Sequence, residues 1–182
     1  MRLLRNPIVL AVAAVPVALI MLALEFLYLR PLTNGQSSLD WRFDGFKPME
    51  ALSWLTALGP RGREALLVWH YLTADLVFPF LVGFALAGFT FYAAREVPRL
   101  RQLGEDRLQL LCILWIVPYL LADYGSNGLI SAMLIDPVGV SHSLIRTASV
   151  FVILKHLFFG IGLVMLAGLV WFGRRARSSD RA

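Results

Sequence analysis

Hydrophobic and polar positions divide this chain into long apolar runs and shorter polar links. Four apolar stretches, Pro7–Leu29, Leu66–Ala94, Leu108–Ser131 and Leu144–Phe172, each carry few charges. A helix rises ~1.5 Å per residue, so ~20 apolar residues cross a bilayer core. The pattern therefore predicts an all-α protein, an integral membrane four-helix bundle in which residues 1–182 form one transmembrane domain. The first run follows a basic start as a signal peptide would. Its apolar length exceeds the usual ~7–15-residue signal core, and no clean small-residue cleavage site follows. It is read as an uncleaved helix.

The longest polar link, residues 30–64, is expected to cap the bundle on its outer side. Leu32–Asp40 is rich in Asn, Gly, Gln and Ser and reads as a loop. From Pro48 to Leu58, an early proline, Glu50 and then Leu52, Leu55 and Leu58 at helical spacing predict a short amphipathic helix. Gly59-Pro60 ends it. Trp41, Phe43, Phe46 and Trp54 are placed like boundary aromatics, and Trp41, Phe46 and Trp54 are expected to rest against the membrane surface or the bundle's outer opening. The link Arg95–Gln109 is short and charged, and makes the second and third spans antiparallel neighbours. Met133–Ser143, with Asp136-Pro137 and Gly139, reads as a tight turn.

Charge adds orientation. The formal net charge is +5, and the arginines cluster. Arg2 and Arg5 precede the first span, Arg95, Arg99, Arg101 and Arg107 lie between spans two and three, and Arg174, Arg175, Arg177 and Arg181 follow the fourth. These segments share one side, which the positive-inside rule makes cytoplasmic. Both termini are thus expected inside, in a bacterial inner membrane. The basic ends suit anionic lipid rather than nucleic acid, which is not expected as a partner. The single Cys112 excludes an internal disulfide.

Three ionisable residues break the apolar runs: Asp75, Asp123 and Lys155. A charge at the bilayer centre costs ~2.5–3.5 kcal/mol on insertion scales, so such residues usually face protein and mark function. Counting from the outer surface places Asp75 ~10 Å deep, Asp123 ~12 Å and Lys155 ~16 Å. They fall close together in depth. Tyr119, Asp123, Asn127 and Ser131 form a polar stripe every fourth residue, and Tyr71, Asp75 and Pro79 form another. Pro79 cannot donate to the Asp75 carbonyl, so it frees an acceptor beside the carboxylate; Pro16 and Pro118 disrupt spans one and three in the same way.

Asp75, Asp123, Asn127, Lys155, Tyr71 and Tyr119 are the expected ligand-binding residues, taking a lipid-like or small apolar molecule with a polar or cationic group. The alternatives are a structural ion cluster in an accessory subunit of a membrane complex, with a membrane-protein partner, and a lipid-modifying, isomerase-like enzyme. A haem-b electron carrier using His70, His142 or His156 is a further alternative, although no cofactor is the primary expectation. No metal site is expected, because no helix offers two histidines at i, i+4. His70, Glu25 and Arg146 read as interface residues. Gly83, Ala87 and Gly88, with Gly160 and Gly162, read as close-packing positions. No phosphate loop is present, and Ser126 lacks a histidine placed to activate it.

Several of these pieces are shared with a known set. Gly45-Phe46, Glu50-Ala51, Ala57-Leu58-Gly59, Gly62-Arg63, Asp75, Phe78-Pro79, Asp123-Tyr124, Asn127 and Lys155 together resemble a family of small, uncharacterised four-span bacterial membrane proteins. The resemblance covers roughly Gly45 to Gly168 and implies no activity. It departs at Ser126, where an acid is common in that family. In layout alone, the chain is similar to the four-span EXPERA architecture of sterol isomerases and a lipophilic-amine receptor.

Overall fold

The computed structural model describes residue 4 and residues 6–179, with side chains as far as residue 176. Arg2, Arg5, Arg181 and the Arg177 side chain, used above for orientation, lie outside the described residues. The described chain is helical, with no strand, and four helices are long and apolar enough to cross a membrane: Pro7–Leu32, Pro48–Arg95, Glu105–Ile135 and His142–Ala176. They fit a multi-pass membrane protein built as an all-α four-helix bundle.

The second helix starts well before its apolar run because the amphipathic segment feeds directly into it. Gly59, at φ +62° and ψ 177°, makes the corner between the two, a conformation that strains any residue with a side chain. Pro60 starts the membrane helix, where a missing N–H is tolerated. The third helix also has two parts, Glu105–Leu114 and Val117–Ile135, and Pro118 opens the second of them. Pro16 stays inside Pro7–Ala23 without ending it.

Two stretches are wound more loosely than an α-helix, Leu24–Leu29 and Leu66–Ala74. At the end of each, a backbone N–H donates to the carbonyl five residues back, from Arg30 to Glu25 and from Asp75 to His70. Residues five apart on an α-helix point ~140° away from each other. The i→i+5 bond of π winding brings them onto one face instead.

The second helix is the hub, packing against the first, third and fourth, while the third and fourth pack extensively on each other. The first rests mainly on the second and leaves Ile8, Val9, Val12, Leu19 and Leu27 exposed. Gly83 abuts Ile116 and Leu120, Gly88 abuts Pro7, and Gly162 abuts Trp115. These glycines let helices approach closely. Gly160, expected to do the same, faces open space.

The cap packs onto the bundle rather than lying at a boundary. Trp54, Leu55, Leu58, Phe46 and Leu39 join Ile130, Met133, Ile145 and Val152 in one buried cluster. Of the two expected placements, membrane surface or bundle opening, Trp54 and Phe46 take the second and are core residues. Trp41 is half-buried, and Phe43 stays exposed. Gly45 (φ +80°) carries the loop against the fourth helix: a Cβ there would lie 2.5 Å from Ser149 Oγ. That hydroxyl accepts the Phe46 N–H at 2.8 Å. Beyond Ile135, Asp136 Oδ1 accepts the Gly139 N–H at 3.0 Å and closes the turn.

Candidate functional site

Asp75, Asp123 and Lys155 are all buried and lie together near the cap end of the bundle. Lys155 Nζ lies 3.2 Å from Asp123 Oδ1. Its closer partner comes from outside the spans: the same ammonium donates to Asp40 Oδ1 in a short contact. Asp40 sits in a single turn, Leu39–Trp41, that folds back from the loop into the bundle. Sequence alone leaves Asp40 at the end of the polar loop Leu32–Asp40, outside the spans, and the fold instead buries it in the site. Burial opposes ionisation of Asp40, but the Lys155 ammonium, aided by its hydrogen bond, helps to hold the carboxyl below the usual carboxylate range.

Asp75 faces a different neighbour. His70, expected at the interface, is buried with its Nε2 3.9 Å from Asp75 Oδ2. The π-wound turn between them accounts for the meeting, since α-helical spacing would separate the two side chains. Asp75 Oδ2, both His70 ring nitrogens and the Tyr71 hydroxyl are buried and have no hydrogen-bond partner among the described residues. Most buried polar atoms in proteins are paired, so four orphans in one small region need an explanation.

Asn127 ties the two halves together. Its Nδ2 donates to Asp123 Oδ2 and to the Asp75 carbonyl, both at 3.3 Å. That carbonyl is the one Pro79 leaves without its helical donor, so the acceptor freed by the proline is used by the third helix. Tyr124 donates to the next carbonyl, Leu76, at 2.8 Å. Ser126, buried, donates to the Asp123 carbonyl at 2.8 Å.

A cavity of about 310 Å³ opens beside this cluster. Asp40, Asp75, Asp123 and Lys155 form its polar end, while Met21, Phe78, Val82, Tyr119 and Phe159 supply apolar wall. Trp41, Phe43 and His156 complete it. Phe43 is 67% exposed and marks the mouth. All four membrane helices and the cap loop contribute to the lining. A polar end joined to an apolar wall is a shape that binding sites for small molecules share.

The other candidates fall elsewhere. Glu25, expected at the interface, is buried 1% exposed and closed on its own loop: Oε1 accepts from Arg30 Nε and the Ser38 N–H, both at 3.1 Å, and Oε2 accepts from the Ser38 hydroxyl. His142 is exposed at the start of the fourth helix. His156, about 21 Å further along it, has Nδ1 2.8 Å from the Val152 carbonyl and meets Phe43 with the two rings tilted at 59°. Arg146 is exposed. Tyr71 is buried behind the cluster, whereas Tyr119 lines the cavity. No protein-family model, curated protein or solved structure matches this chain, so the site rests on its own geometry.

Proposed function

We propose that this is a bacterial inner-membrane protein, with both termini cytoplasmic, whose cavity binds a lipid-like or small apolar molecule bearing one polar or cationic group. The carrying observation is the union of an apolar wall with an acid that has spare hydrogen-bonding capacity. Asp75 and Asp123 meet the ligand's polar group, Lys155 and Asn127 set their direction, and Phe78, Val82 and Phe159 hold its apolar body. Trp41 and Phe43 flank the way in.

A structural reading has one specific observation in its favour: Lys155 is fully engaged by Asp40 and Asp123. Native mass spectrometry of the gently purified protein separates the two. The wild type is expected to carry a small molecule that the triple variant Asp75→Asn, Asp123→Asn, Lys155→Met has lost while remaining folded. A bare wild type, or an adduct unchanged in the folded triple variant, would leave only the structural reading.

Orientation has its own test. In a Cys112→Ala background, cysteine at the exposed Val138 is expected to label from outside intact cells, and cysteine at the exposed Gln102 is not. Labelling of both from outside would refute the four-span topology.

A further inference from the structure

The ion pairs around Lys155 leave part of the cluster unexplained. One potential ligand atom from each of Asp40, His70 and Asp75 lies within 4.8 Å of the other two, and all three residues are buried. Two acids alone would say little. The histidine is the second observation: His70 is 1% exposed, yet neither ring nitrogen has a hydrogen-bond partner among the described residues. Its Nε2 is turned toward Asp75 Oδ2, which is also unpartnered. An imidazole and a carboxyl group that face each other 3.9 Å apart without a hydrogen bond leave their free atoms converging on a common point. The charges agree. Among the described residues, three carboxyl groups, Asp40, Asp75 and Asp123, meet one ammonium, Lys155, so with all three ionised one divalent cation balances the cluster.

We propose that Asp40, His70 and Asp75 bind a single divalent transition-metal ion of the zinc or manganese kind. One imidazole nitrogen with two carboxylate oxygens is a borderline donor set, whereas magnesium and calcium take oxygen ligands. Ligands ~2.0–2.2 Å from one ion lie at most ~4.4 Å apart, so the three side chains draw inward slightly on binding. Asp40 holds Lys155 with one oxygen, and a carboxylate has a second to give. The adjoining cavity leaves space for water in the remaining positions. No i, i+4 histidine pair is needed, because π winding supplies two ligands at i, i+5 and the loop supplies the third. The site does not rest on the amphiphile reading. With the ion bound, the excess charge is gone, and an amphiphile would meet it through a neutral or anionic group.

The test uses the full chain, untagged, purified in mild detergent, stripped with chelator and titrated with Co²⁺. About one equivalent is expected to raise visible d–d absorption, which Zn²⁺ then abolishes. His70→Ala and Asp75→Asn should each weaken binding by at least ~10-fold, while Asp106→Asn, an exposed acid at the opposite end, binds like the wild type. Equal binding by wild type and His70→Ala overturns the site, as does a featureless spectrum at saturating Co²⁺. Should His70→Ala fail to survive extraction, the wild-type spectrum and Asp75→Asn decide in the same way. An empty cavity in the mass-spectrometric experiment would leave these metal readouts unchanged, so the two proposals fail separately.

Discussion

Glu25 and Asp75 are both buried acids, and each sits at a π-wound turn that brings a basic side chain five residues away onto the same face. Beyond that they diverge. Glu25 spends its oxygens on Arg30 and on the backbone and hydroxyl of Ser38. Asp75 leaves Oδ2 unbonded opposite an unbonded imidazole, beside a cavity. Burial alone therefore does not mark a functional acid in this bundle. Completion of its hydrogen bonding separates a structural carboxylate, which pins the first span to its loop, from one kept available.

The largest expected effect concerns the cation that part of the site is built around. Lys155→Met strands Asp40 and Asp123, and breaking a buried pair typically costs ~3–5 kcal/mol. Adding Asp40→Asn should restore more of the loss than adding Asp123→Asn, because Asp40 is the closer partner. Thermal stability in detergent, read as double-mutant cycles, gives the coupling. Strict additivity with both aspartates would mean that these charges do not share a site.

Next comes the pair itself. Glu25→Gln should lower stability by ~1–3 kcal/mol, since it leaves buried donors poorly matched. In chelator-stripped protein, Asp75→Asn should change it by less than ~1 kcal/mol or raise it, because an under-bonded buried acid is replaced by a neutral group. Equal losses for the two substitutions would erase the distinction drawn above.

Much of the arrangement is legible in the sequence, and what is not has identifiable causes. Depth along each apolar run brings Asp75, Asp123 and Lys155 together, and Pro79 points to the carbonyl that Asn127 takes. Those inferences need only the rise and period of a helix. Asp40 is hidden because a loop's return path leaves no periodic trace, and nothing local distinguishes it from Asp44, which stays exposed. His70 and Glu25 are hidden for a different reason. An α-helical count places His70 ~140° from Asp75, and Arg30 as far from Glu25. The π turns that correct this have no sequence signature in the pattern. For Trp54 the pattern leaves membrane surface and bundle equally open, because an aromatic in a polar link looks the same whether it meets lipid or core.

The smallest expected effect is a pH dependence. Asp40 is depressed in the folded state, so its stabilising contribution is present above the ordinary carboxylate value of ~4 and is lost as pH falls through the lower folded value. Wild-type melting temperature should decline more steeply below about pH 4 than that of Asp40→Asn. Parallel curves would show that Asp40 is not held ionised by Lys155.

The comparison between the two acids is tested most directly by native mass spectrometry of Glu25→Gln and Asp75→Asn, each beside the wild type. Glu25→Gln should keep the co-purified small molecule despite its lower stability. Asp75→Asn should lose it while remaining as stable as the wild type when both are stripped with chelator. If the adduct instead follows stability, lost with Glu25→Gln and retained with Asp75→Asn, the unbonded carboxylate is not a binding group and the central claim fails.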